Sequence, residues 1–557
     1  MKTIKYTVII FAVLFAVIFA ACSGGSDSIF NGIENYPVTE KISLTLPDGE
    51  KYLAITNLSP LYADLHFFDF SRAAVSANSQ ALARSYARSA SLPDNKIIIK
   101  DSKSASRFNA NPPLIPAGST QRLVETASAS DRYNVDTSYL QFWVENKYGN
   151  FIKHGARVRA KNDVCYIWVA EENYHPSSSV TGKYITSAQA QELADKFAVI
   201  YPRATDLLGY EYGGGPAGHG GIDGDKEIHI LIYDINGMEG VPITTGQIAG
   251  YFHGKDEITQ KNIDDYSINY PDLGYGGLKS NEMEIFYIDV SVYKQSPDTI
   301  YSTLVHEFQH MIHYNRKSLE QSLQSETWYN EMLSMAAEDV ISPLIGILPS
   351  NPAHPINERI PAFLDIYSDI GIDEWLDGNN VIFSYATTYA FGAYLIRNFG
   401  GPELIQKMLS NNKANHDSVT LALKSTNSSL SFEKALEQYA EAIVYSTSHG
   451  GIPSGKASFD KTQEYTLNGI KYTAAAFDIW DTYNDPSLFK NPPRSKTKGP
   501  IIFDQLQNQP ANVLTKYPLL QHSVVVHGIS TASTGSWEFY VNRPSKVTIK
   551  AAILGYK

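Results

Sequence analysis

The sequence predicts an α+β fold with β-rich modules at both ends, and three observations predict it. Apolar and polar residues alternate over 41–70 and again over 501–553, the two-residue period of strands with one buried face. Between these stretches, over 297–312, 383–399 and 406–445, the apolar residues recur at helical spacing. A strand-like run, 283–290, feeds directly into the first of those helices. With 557 residues, 43% of them hydrophobic, the chain can hold several cores, and two to four domains are expected.

Residues 1–21 read as a lipoprotein signal peptide. Lys2 and Lys5 precede a 14-residue apolar run, Val8 to Ala21, which is signal length and too short for an ordinary membrane span. Phe19-Ala20-Ala21-Cys22 resembles a bacterial lipoprotein cleavage box with Phe in place of Leu or Val, so Cys22 is expected to be acylated and to hold the protein on a membrane. A plain secretory signal with an incidental cysteine is the alternative. Residues 22–70 are read as a flexible tether and a small β module, and 71–136, rich in Ala, Ser and Arg, as a linker or a cleavable pro-segment.

From Tyr139 the pattern is ordered again. Strands are predicted at 140–144 and 158–169, the second placing Cys165 among apolar neighbours as a buried, inert thiol; with Cys22 the only other cysteine, no disulfide is predicted. A helix is predicted over 187–200, with Leu193, Phe197 and Ile200 on one stripe. The glycine-rich stretch 213–221 lacks the preceding strand and following helix of a phosphate loop and reads as an irregular surface loop. Asp223-Gly224-Asp225 could bind Ca2+, but the full calcium-loop pattern is absent and a turn before a strand at 227–233 is the better reading.

The chemistry centres on His306-Glu307-Phe308-Gln309-His310. Ser296-Pro297-Asp298 supplies an N-cap, a first-turn proline and a first-turn acid, and apolar residues at 300, 304, 305, 308, 311 and 312 keep the helical period, so this motif sits mid-helix. Two imidazoles one turn apart, about 6 Å in rise, can bind one Zn2+, with Glu307 directed at the water it activates. A catalytic zinc needs a third protein ligand. The longer zinc motif would have Gly and His at 313 and 316, but His313 and Arg316 stand there. His313 is about 10 Å along the same helix from His306, too far to share the ion. A carboxylate remains, and Glu331, in the helical segment 328–340, lies far enough on for a turn and second helix to bring it back.

His306 through Tyr314, followed by Trp328-Tyr329-Asn330-Glu331-Met332-Leu333-Ser334, resembles the gluzincin metallopeptidases, most of all the hyicolysin-type family of secreted bacterial neutral metalloproteases, over roughly 137–450. The resemblance implies a gluzincin-type core, one catalytic Zn2+ on His306, His310 and Glu331, Glu307 as general base, and protein or peptide substrates. Met335 stands where that pattern has Asp, which leaves Glu338 or Asp339 as the partner that orients a zinc-bound histidine. A donor for the developing oxyanion is also implied, with His354, Tyr385 and Tyr389 as candidates; packing is the competing role of the two tyrosines. Gly237-Met238-Glu239-Gly240 is faintly similar to the amine-binding strand of gluzincin aminopeptidases but has Gly for Asn, so an endopeptidase is favoured over an aminopeptidase.

Past 450 the chain is expected to form a separate C-terminal β-rich domain over 451–557. A net charge of -12 and the lack of a basic run with interleaved aromatics argue against nucleic acid as a partner. The rival reading from another class is a surface lipoprotein adhesin with a vestigial zinc site. The expected location is outside the cytoplasm, lipid-anchored to a bacterial membrane.

Overall fold

In a computed structural model the described residues are 38–46, 51–67, 99–100, 102–113, 132–146, 148–177, 183–237, 247–271, 274–485, 495–502, 515–529, 535–543 and 546–555. Cys22, the signal peptide and residues 238–240 of the aminopeptidase-like stretch lie outside them. Three strands come first: β1 (Val38–Leu46), β2 (Lys51–Asn57) and β3 (Ala63–Phe67). A short helix follows, α1 (Lys103–Ala110), capped by Ser102 Oγ, which accepts from Ala105 N.

The central sheet uses β4 (Tyr139–Glu145), β5 (Phe151–Lys161), β6 (Cys165–Ala170), β7 (Ile228–Tyr233), β8 (Gly250–Phe252) and β9 (Ile285–Asp289), in the order β4-β5-β6-β7-β9-β8. The β6–β7 and β7–β9 pairs are parallel, and β4, β5 and β8 run antiparallel to their neighbours at the two edges. Every residue of β6, β7 and β9 is buried, as expected of parallel strands covered on both faces, and Cys165 is among them. The strand expected over 158–169 is broken at Asn162, whose Oδ1 accepts from the backbone N of Val164 and Cys165, turning the chain from β5 into β6.

One sheet face packs on α2 (Ser187–Leu208), which runs on through Pro202 beyond the expected end, and on the motif helix. Phe197 meets Phe286 and Phe308 edgewise with ring centroids 5.7 and 5.1 Å apart. The small helix α3 (Gln260–Asn269) lies beyond β8. Asp289 Oδ1 caps α4 (Val290–Gln295) by accepting from Val292 N. The motif helix is α5 (Pro297–His313), buried from Thr299 to His313. Pro297 opens it as expected, but Ser296 spends its hydroxyl on Thr299 Oγ1 at 2.7 Å and caps no backbone N–H.

Helix α6 (Thr327–Ile341) is buried on every side from Trp328 onward, the signature of a core helix. Around it stand α7 (Pro355–Ile366), α8 (Val381–Asn398), α9 (Glu403–Ser410), α10 (Asn415–Thr426) and α11 (Phe432–Val444). Helix α8 approaches α6 closely because residue 392 is glycine: a Cβ there would lie 2.8 Å from Met332 Cγ.

The ends correct the expected domain plan. The chain does not leave the core at 450. The hairpin β10 (Gln463–Leu467) and β11 (Ile470–Ala474) packs back on it, with Tyr472 Oη donating to Arg203 O on α2 at 2.8 Å. Then β12 (Thr515–Leu519), β13 (Val524–Ile529), β14 (Gly535–Arg543) and β15 (Ile549–Gly555) pair with the first three strands, giving sheets β1-β14-β3-β12 and β13-β2-β15. The two β-rich ends are therefore one module, with Leu53, Ile55, Leu519, Val525 and Val547 in its core. Neither end could bury its apolar face alone, since each holds only part of either sheet. Nor is 71–136 wholly a linker: Ile99 bridges to Ile248, and α1 and Lys100 are packed into the core.

Candidate metal centre

Two helices that cross in the core build the site. The spacing of His306 and His310 puts their rings on one face of α5 with centroids 4.6 Å apart and nearly perpendicular. From α6, Glu331 comes to meet them: His306 Nε2 lies 3.1 Å from Glu331 Oε2, and His310 Nε2 3.7 Å from Glu331 Oε1. One ligand atom from each residue falls within 4.8 Å of the others. His306 and Glu307 are fully buried, and His310 and Glu331 are 1% exposed.

The outer ring nitrogens are held by acceptors. His306 Nδ1 lies 2.6 Å from Glu338 Oε1, and the other oxygen of Glu338 takes the ammonium of Lys100 and the hydroxyl of Ser302. Burial alone would raise the Glu338 carboxyl, but Lys100 and His306 hold it well below the usual carboxylate range, so it is charged and can only accept. His306 Nδ1 therefore carries a proton, which leaves Nε2, beside Glu331, as the nitrogen that would bind a metal ion. Burial would lower His306, yet Glu338 and Glu331 together keep it above its ordinary value.

Ser334 supports the second histidine. Its Oγ is 3.1 Å from His310 Nδ1 and 3.4 Å from Nε2, and lies within donating distance of Gln309 Oε1 and Asn330 O, so it can give its one hydrogen to one of these oxygens and accept from His310 Nδ1. Burial lowers the His310 imidazole to about 4 against the opposing charge of Glu331, keeping it neutral and able to ligate. His306 Nε2 and Glu331 Oε2, both buried, have no hydrogen-bond partner, which is the state of atoms that a metal ion would satisfy. The donor set of two imidazoles and a carboxylate suits Zn2+.

The other predicted residues separate cleanly. Asp339 does not reach the histidines, because Arg397 grips both its oxygens at 2.8 and 3.0 Å from behind α6. Tyr389 Oη donates to the same carboxylate at 3.0 Å. His354 caps α7 through Nδ1 and sits 3.2 Å from Asp339 O through Nε2. Tyr389 Oη and His354 Nε2 thus face Asp339, and His354 Nδ1 the start of α7, rather than the three clustered groups. Tyr385 is the candidate at the centre, its Oη 3.4 Å from Glu331 Oε1 and its ring between Trp375 and the Arg359 guanidinium. His313 turns away to Ser325 Oγ at 2.8 Å.

Two supports were not foreseen. Ser334 stood within the motif that carries the resemblance, without a role. Lys100, fully buried, comes from the segment read as linker, where a single lysine after three isoleucines gives no sign of its partner.

The calcium alternative at Asp223 and Asp225 resolves as a turn, with Asp225 N donating to Asp223 Oδ1 at 2.8 Å. His229 joins these two within 4.8 Å, its Nδ1 accepting from the Trp168 indole at 2.9 Å and its Nε2 lying 3.3 Å from Asp223 Oδ2. The glycine-rich loop before it is not simply surface. Gly221, at φ +67, lies so close over Glu284 that a Cβ would fall 1.9 Å from Oε2.

Residues 155–474 match the model of a family described as peptidase M30. A neutral metalloprotease, ShpI, of Staphylococcus hyicus is 24% identical over 317 residues, which cover 55% of this chain and 62% of that protein. The chain thus spans less than two thirds of the length of this relative.

Proposed function

Because the chain belongs to the peptidase M30 family, we propose that it is a zinc-dependent endopeptidase with a gluzincin-type centre, cleaving peptide bonds of proteins with water. The observation that carries this is the convergence of His306 Nε2, His310 Nε2 and the Glu331 carboxylate, buried and with orphaned atoms aimed at one point. These three residues would hold the ion, which when bound acidifies a water and polarises the scissile carbonyl.

The chain's own groups supply the rest. Glu338 and Ser334 fix the two rings so that both lone pairs face inward. Glu307, on the same helix between the two histidines, takes the proton of the attacking water and returns it to the leaving amine. Tyr385, whose Oη lies 3.4 Å from Glu331 Oε1, is the residue assigned in this reading to stabilise the oxygen of the tetrahedral intermediate. The named relative is itself a neutral metalloprotease, in keeping with this reading. Export and a lipid anchor at Cys22 belong to the same proposal and rest on the sequence; no described helix is long and apolar enough to cross a membrane. Partitioning of Cys22→Ser into the aqueous rather than the detergent phase checks the anchor.

The decisive experiment is casein hydrolysis by wild type, chelated wild type and Glu307→Gln. The variant should keep its zinc and lose about 10^2- to 10^4-fold in rate or more. An active Glu307→Gln protein with bound zinc would overturn the mechanism, and an inactive wild type carrying zinc would favour the binding-protein reading.

A further inference from the structure

A second cluster of the same donor chemistry lies where the terminal β module meets the helices. Asp373 comes from the loop after α7, His416 from the first turn of α10, and His522 from the turn joining β12 to β13. One ligand atom of each falls within 4.8 Å of the others. We propose that Asp373, His416 and His522 form a second metal site, taking a divalent transition ion such as Zn2+, that pins the β module to the peptidase core.

Hydrogen bonding leaves this cluster incomplete. His522 Nδ1 and His416 Nε2 both approach the same oxygen, Asp373 Oδ2, at 2.6 and 3.2 Å. Asp373 Oδ1 is buried with no hydrogen-bond partner, and its side chain is only 7% exposed. An unmet buried carboxylate oxygen is costly, and no lysine or arginine among the described residues pairs with it. An ion held by the carboxylate and the two imidazoles would meet that oxygen's need and supply the three-ligand set of a zinc site.

The surroundings are built to hold the three groups. His416 stacks on Trp328, with centroids 4.8 Å apart, and packs against Phe432 at 4.2 Å. His522 sits at φ +38, a backbone conformation that non-glycine residues adopt at a cost. Beside it the chains are in contact, with Ile372 N donating to His522 O at 3.2 Å. A cavity of about 280 Å3, lined by Asp373, Trp328, Trp375 and Glu326, adjoins the cluster on its Asp373 side.

This inference does not depend on the peptidase reading. The test is zinc content per chain of the full-length protein, loaded with Zn2+ and desalted, together with melting temperature. Wild type should carry two equivalents; His416→Ala and His522→Gln should each carry one and still hydrolyse casein. His310→Ala should keep one equivalent, and its melting temperature should rise on adding Zn2+, a rise that the His310→Ala/His416→Ala double variant lacks. The His416 side chain is 29% exposed, and His522→Gln supplies a second variant that removes a ligand with little change of volume. One equivalent in wild type that survives both His416→Ala and His522→Gln would overturn the second site while leaving the first intact. Zinc lost with His416→Ala from a wild type that hydrolyses nothing would sink the peptidase reading and leave this one standing.

Discussion

Glu338→Gln keeps the size of a side chain that holds three partners and removes its charge. The Oε1 of Gln can still accept from His306 Nδ1, but a charged hydrogen bond at 2.6 Å becomes a neutral one. Hydrogen bonds to charged groups contribute roughly 1.5–3 kcal/mol against about 1 for neutral ones. At about 1.4 kcal/mol per factor of ten, the difference of roughly 0.5–2 kcal/mol should weaken zinc binding ~2- to 30-fold. The new amide nitrogen also faces the Lys100 ammonium, a donor against a donor, leaving Lys100 with Glu358 at 3.4 Å. Breaking a buried pair on one side costs roughly 3–5 kcal/mol, and the remaining Glu358 contact should hold this case to the lower end. Lys100→Met/Glu338→Gln removes the clash and should recover part of the stability, while zinc affinity stays reduced. Lys100→Met alone should destabilise the fold yet keep zinc affinity, because Glu338 still holds His306. Competition with a fluorescent zinc chelator and urea unfolding read the two quantities separately. Zinc affinity in Glu338→Gln within twofold of wild type would refute the reasoning, as would a Lys100→Met protein that loses as much affinity as Glu338→Gln.

Glu331→Gln should lose one zinc equivalent and activity together, whereas Glu326→Ala, whose carboxylate accepts from Trp328 Nε1 and Asn415 Nδ2, should keep both; zinc per chain after dialysis against a mild chelator decides, and the reverse pattern would move the ligand to Glu326. Tyr385→Phe should retain zinc and lower kcat by about 10^2- to 10^3-fold with KM little changed, and an unaltered kcat would remove it from the oxyanion role. Burial lifts the Glu211 carboxyl from 4.5 to about 7 although Tyr201 Oη donates to it at 2.7 Å. A raised acid contributes stability that is complete below pH 4.5 and lost as pH rises through about 7, here up to ~3 kcal/mol at ~1.4 kcal/mol per unit. Glu211→Gln should therefore exceed wild type in stability above pH 7 by up to that amount and match it near pH 4.5; a difference that does not vary between those values counts against the assignment.

What the sequence determined by itself is local. Two histidines four residues apart on a helix share a face because of the helical repeat, so α5, its proline start and its pair of candidate ligands could be read before any fold was known. The same holds for α8, for the buried strand around Cys165 and for the turn at Asp223, each fixed by neighbours within a few residues. Tertiary structure decided whatever joins distant segments. The choice between Glu338 and Asp339 turned on which face of α6 looks at α5 and which at Arg397, and adjacent positions on a helix point about 100° apart. Lys100 reaches Glu338 across 238 residues, and nothing in either neighbourhood encodes the other. The β-rich ends each show a two-residue period, but that period says only that a face is buried, not against what. The folded chain supplied the answer by pairing β1 with β14 and β2 with β15, closing one module from both termini and setting His522 against Asp373 and His416.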